Sequence, residues 1–135
     1  MDKVKVSDKL LLSVEKPARY TGGELNSIVK ETARLRFALC FPDVYEIGMS
    51  HLGSRILYEV INSREEYACE RCFAPWPDME KAMRENNVPM FTLETRTPLA
   101  ECDIVGFSLL YEMCYTNILT MLDLAHIHKR SADRG

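Results

Sequence analysis

Phe41-Pro42-Asp43-Val44-Tyr45-Glu46-Ile47-Gly48-Met49-Ser50-His51-Leu52-Gly53 is the stretch on which the reading of the fold turns. The apolar run from Leu35 to Phe41, broken only by Arg36, leads into it, and helical spacing begins directly afterwards. A strand, a glycine-bearing loop and a helix in that order is how α/β proteins aim backbone N–H groups at a ligand. The loop is therefore the first candidate site.

Downstream, Leu52, Ile56 and Val60, joined by Leu57 and Ile61, recur at helical spacing. They predict an amphipathic helix over 52–63, with Ser50 capping its first N–H groups. A short strand near Cys69 to Ala74 is closed by Pro75-Trp76-Pro77, and a second helix is expected over 78–86. Pro89 to Glu94 alternates as a weak strand, whereas Asp103 to Leu109 is a near-continuous apolar run of the kind buried in a parallel sheet. Residues 111–127 read as a long helix, apolar round much of its circumference and so covered on more than one side. Upstream, residues 1–33 read as an N-terminal arm: a short helix from Asp8 to Val14 capped by Ser7 or Asp8 and stopped by Pro17, a turn at Tyr20 to Glu24, and helical turns from Glu24 to Lys30.

The order of elements gives the class as α/β, an open, mostly parallel sheet with right-handed crossovers and helices on both faces. No strand follows the last helix, so residues 34–135 read as a partial α/β domain ending before its last strands. Length allows one domain. Residues 1–36 carry eight basic against five acidic side chains, residues 37–103 six against twelve, and the remainder balances at three each, for a net charge of −3. A mildly basic arm on an acidic body gives no strong nucleic-acid signal. No apolar run reaches the ~20 residues of a membrane helix, and the N-terminus lacks a signal-peptide core, so a cytoplasmic protein is expected. The five cysteines then read as reduced thiols.

Several motifs fall short of a chemistry. Gly48-x4-Gly53 has P-loop spacing, but Ser54-Arg55 follows where Lys-Ser/Thr is needed. Cys69-x-x-Cys72 has no second ligand pair at zinc spacing and reads as two buried residues. His126 and His128 are two apart at a helix end, where they offset the helix dipole. Asp43 and Glu46 form a candidate carboxylate pair, and His51 stands at a helix N-terminus beside the loop. No nucleophile has a recognisable base partner, so no catalytic residue and no metal ligand is assigned.

Three blocks combine with the opening stretch: Tyr20-Thr-Gly-Gly-Glu-Leu-Asn26, Phe73-Ala-Pro-Trp-Pro-Asp-Met-Glu80 and Asp103-Ile-Val-Gly-Phe-Ser-Leu-Leu-Tyr-Glu112. Together they resemble the N-terminal region of a family of radical S-adenosylmethionine (radical SAM) proteins, over most of residues 10–130. The resemblance implies a cobalamin-binding-like, Rossmann or flavodoxin-like domain followed by an iron–sulfur catalytic domain. In the cobalamin-binding signature DxHxxG, Asp43 to Gly48 match with Tyr45 in place of the histidine; Ser108-Leu109-Leu110 match SxL. The expected Gly-Gly pair would lie past Gly135. Tyrosine is a poor cobalt ligand at neutral pH because its phenol is protonated, so the implied cobalamin would bind without a histidine lower ligand. Asp43, Tyr45, Gly48, Ser50, His51, Ser108 and Leu110 are the expected cofactor-binding residues. The radical chemistry needs CxxxCxxC, which is absent here, as position 65 is Glu. The 4Fe-4S cluster and S-adenosylmethionine are therefore expected in a downstream radical SAM domain, the implied partner. The alternative is a ligand-free domain that docks this catalytic barrel or forms a homo-oligomer through the apolar helix 111–127.

Overall fold

The computed structural model describes residues 2–134. Three strands, β1 (Leu35–Phe41), β2 (Tyr67–Phe73) and β3 (Ile104–Phe107), form a parallel sheet in the order β2-β1-β3. The helices are α1 (Asp8–Leu12), α2 (Tyr45–Ser50), α3 (Leu52–Asn62), α4 (Pro77–Glu85) and α5 (Tyr115–Leu124). Side chains alternate across a strand. Ala38, Cys40 and Cys72 therefore face a core shared with Leu10, Met79, Met83, Leu99 and Met121, while Leu39 and Cys69 face Tyr58 of α3. The sheet is thus open, parallel and covered by helices on both faces, as expected. No helix among the described residues is long and apolar enough to cross a membrane.

The N-terminal segment belongs to the main core, because Val4, Val6, Leu10 and Val14 are all buried in it. Ser7 caps α1, its Oγ accepting from the Leu10 N–H at 3.2 Å. No helix forms over 24–30: Ile28 N–H bonds the Tyr58 hydroxyl at 2.7 Å, and the Lys30 ammonium donates to the carbonyls of Asn62, Arg64 and Tyr67. These tertiary bonds hold the segment out of helical geometry.

Residues 89–94 do not make a strand. A single antiparallel bridge joins Phe91 to Pro98, and Arg96 turns the chain at φ 57°. This turn covers the free edge of β2, where Leu93 N–H bonds Arg71 O at 2.9 Å and the Glu94 carboxylate accepts from Arg71 N–H at 2.7 Å. The edge is also clamped by Asn62, whose amide both donates to Cys69 O and accepts from Cys69 N–H, each at 3.0 Å. Covering an edge strand in this way blocks edge-to-edge association.

Two further expectations change. The Asp103–Leu109 run forms an edge strand, half-buried rather than central. The last helix starts at Tyr115, after a 3-10 turn at Glu112–Cys114, and stops at Leu124. His126 stops it by adopting φ 57°: its N–H bonds Asp123 O and the Ile127 N–H bonds Leu122 O at 3.0 Å, a Schellman cap with histidine where glycine is usual.

The amphipathic helix α3 is present but rotated against its pattern. Its buried residues are Ser54, Tyr58 and Asn62, while Leu52, Ile56, Leu57 and Val60 are exposed. Hydrogen-bonding side chains hold the inner face, because β2's edge and the 28–30 segment offer polar backbone there.

Candidate functional site

In the order β2-β1-β3, the connection from β1 runs to one side and that from β2 returns to the other. The gap beyond the C-terminal ends of β1 and β3 is therefore the topological switch point, where open α/β sheets bind ligands. Asp43 sits there. One carboxylate oxygen accepts from Val44 N–H at 2.7 Å and the other from the Tyr111 hydroxyl at 3.1 Å. The Tyr111 phenol, a donor at neutral pH like any tyrosine, is pushed up further to about 12 by the side chains of Cys114 and Asp43. Ser108 follows β3, its N–H bonding Cys40 O at 3.0 Å, and Asn117 of α5 reaches Pro42 O at 2.9 Å. Leu110 is half exposed beside them. Asp43 is thus joined to the 108–111 loop, and Tyr111 is the contact that sequence reading missed; its only signal was its place directly after the SxL match.

The other expected site residues are engaged elsewhere. Tyr45 packs edge-on against Phe73, ring centroids 5.6 Å apart, and burial together with Glu24 raises its phenol above the ordinary tyrosine value. Gly48 lies so close to Phe73 that a Cβ would stand 2.2 Å from the ring. Ser50 is exposed and donates back into its own helix, to Glu46 O and Ile47 O. His51, not Ser50, caps α3: its Nδ1 accepts from Ser54 N–H at 3.1 Å, and its ring rests 5.1 Å from Phe41. His51→Ala is expected to cost about 1 kcal/mol, the usual worth of an N-cap, measured as a shift of the urea midpoint; an unchanged midpoint would refute the cap.

Asp43 and Glu46 do not form a carboxylate pair. Glu46 binds Arg19 at 2.9 Å, which holds its carboxyl below the usual range, while Asp43 bonds Tyr111. The two specific sequence blocks meet instead. Tyr20 hydroxyl accepts from Trp76 N–H at 3.1 Å, the Arg19 guanidinium stacks 5.3 Å from the Trp76 ring, and Asp78 accepts from Glu15 N–H at 2.8 Å. They lock the N-terminal segment onto the start of α4.

Cys69 and Cys72 are three apart on one strand and face opposite sides of the sheet, so they cannot chelate one ion. No group of three or more His, Cys, Asp or Glu that could hold a metal occurs among the described residues. Burial pushes the Cys69 thiol up to about 12, that of Cys102 up to about 11, and that of Cys40 well above its ordinary value. Ellman's reagent at pH 8 is accordingly expected to leave all thiols but Cys102 unmodified in the native protein, and to titrate all five once it is unfolded. Rapid reaction of two or more native thiols would contradict this packing.

The fold is a parallel α/β sheet with the Asp43 carboxylate and the Tyr111 hydroxyl joined at its switch point. Residues 53–135 match the family described as "Radical SAM proteins, N-terminal", and the chain belongs to that family. No curated protein and no solved structure matches the chain.

Proposed function

We propose that the chain is a non-catalytic accessory domain of a radical SAM enzyme whose working face is the C-terminal end of the sheet. There it holds a large amphipathic ligand of the corrinoid class toward the catalytic domain. One observation carries this reading: Leu109, Leu110, Tyr111, Met113 and Tyr115 are 47–78% exposed in a run beginning right after Ser108. An apolar rim beside a polar pair suits the flat underside and amide-fringed edge of a macrocycle.

The donor set limits how a corrinoid would fit. Tyr45 is protonated and packed on Phe73, and His51 is occupied as a helix cap, so neither offers cobalt a lower ligand. Asp43 and Ser108 would accept or donate hydrogen bonds at the ligand's polar fringe. A corrinoid supplies methyl-transfer or redox chemistry at cobalt when bound; the cluster and S-adenosylmethionine are assigned to the catalytic domain.

Hydroxocobalamin added to the protein with its catalytic domain present is expected to co-elute in gel filtration with an altered visible spectrum. Absence of both would remove the corrinoid. The packing of Tyr45 and Gly48 against Phe73 favours a second reading, in which the same rim docks the catalytic domain with no ligand. In that case Leu110→Asp with Met113→Asp weakens the association of the two domains although no corrinoid is retained.

A further inference from the structure

A cavity of about 580 Å³ opens on the α3 face of the sheet, lined by the turn bearing Glu24, Leu25 and Asn26 and by α3. Small-molecule sites span roughly 300–1,000 Å³. Leu25 of the turn and Leu52, Ile56 and Val60 of α3 line it together with Leu39, Phe41 and Phe73 of the sheet. Leu25 is 100% exposed, with Ile56 at 53% and Val60 at 60%, so these side chains leave in water apolar surface that a ligand would cover.

Among these apolar side chains the lining carries one buried, fixed cation. Arg71, 9% exposed, is held by Glu94 at 2.7 Å, by Ser27 Oγ at 3.0 Å and by the Tyr58 ring at 4.3 Å, with Glu24 at 3.6 Å. Two carboxylates thus face one guanidinium, and the other two charges of the lining, Arg55 and Glu59, are of opposite sign. An anionic headgroup would bring a third negative charge into this half-buried site. A neutral acceptor would not; of the five guanidinium N–H groups, three go to Glu94, Ser27 and, at 3.5 Å, the Met49 sulfur, which leaves one on each Nη for such an acceptor.

We propose that this cavity binds an uncharged, largely apolar small molecule carrying a carbonyl-type acceptor, its body along Leu52, Ile56 and Val60 and its acceptor at Arg71. The test titrates the chain with the uncharged fluorophore N-phenyl-1-naphthylamine and displaces it with decanamide or decanoate. The dye is expected to saturate with enhanced emission, and decanamide to displace it at about tenfold lower concentration than decanoate, one decade of affinity. Ile56→Glu and Val60→Glu, at exposed positions that leave the fold intact by circular dichroism, weaken dye binding by about tenfold or more, whereas Leu12→Glu on α1 leaves it unchanged. Equal displacement by decanoate, or dye binding indifferent to both α3 substitutions, would overturn the proposal. So would sedimentation showing that the α3 stripe is covered by a second copy of the chain.

Discussion

Replacing Glu70 by alanine is expected to remove about 3–5 kcal/mol of stability, the cost of breaking a buried ion pair from one side. Glu70 is 0% exposed at the middle of β2. Its Oε1 pairs with the Arg36 guanidinium on β1, and its Oε2 accepts from the hydroxyls of Thr92 and Thr95. Thr95 in turn bonds Thr97 at 2.7 Å, and Thr97 N–H bonds Thr92 Oγ1 at 3.1 Å. Arg36 also donates to the carbonyls of Lys30 and Glu31 at 3.2 and 3.3 Å. One carboxylate thus organises both strands, the edge-covering turn and the N-terminal segment. Alanine would leave the buried Arg36 guanidinium without its counter-ion and take from the Thr92 and Thr95 hydroxyls the carboxylate to which they donate. Against a total of about 5–15 kcal/mol for a domain of this kind, the loss is large. Equilibrium urea unfolding measures it, and a loss below about 1 kcal/mol would mean that water reaches Arg36. The double variant Arg36→Met, Glu70→Met should recover a substantial part, since a matched apolar pair avoids the uncompensated charge.

The second large effect is expected at Gly48. A Cβ there would stand 2.2–2.3 Å from two atoms of the Phe73 ring and 3.2 Å from Phe41. The ring cannot swing aside freely, because Phe73 is buried in a cluster with Phe41 and Leu93 and wedged by Tyr45. Gly48→Ala should therefore cost about 1–3 kcal/mol by overpacking. Phe73→Leu in the same chain should relieve part of this, a coupling that a double-mutant cycle reads directly. If Gly48→Ala were neutral and the cycle additive, the close approach of α2 to β2 would be wrong. The glycine of the loop is thus explained by packing alone, with no ligand required at that position.

The sheet was legible in the sequence because Leu35–Phe41 and Asp103–Leu109 are largely apolar runs separated by helical spacing, while β2, with Glu70 and Arg71 at its centre, was read only as a short strand near Cys69 to Ala74. Element ends were less so. The stop of α5 depends on His126 entering the left-handed region, where histidine is enriched among non-glycine residues yet still uncommon, so its presence marks no helix end by itself. The rejected strand at 89–94 has the right alternation, but its partner edge is satisfied by the Asn62 and Glu94 side chains instead of a backbone ladder. At the candidate site, Asp43 and Ser108 could be picked out by spacing, whereas the Asp43–Tyr111 bond joins residues 68 positions apart and leaves no local trace. The facing of α3 was misleading for a different reason. Periodicity reports which side chains share a face; it does not report whether that face looks inward.

That inversion has a consequence for how the domain can change. Apolar contact tolerates sliding and rotation, but the Asn62 amide on Cys69 and the Tyr58 hydroxyl on Ile28 fix α3 by directional bonds from its inner side. The position of the helix is therefore set without help from Leu52, Ile56 or Val60. Their identities are free to follow whatever molecule meets that surface, so the outer stripe can be rewritten for a new ligand while the scaffold beneath keeps its shape.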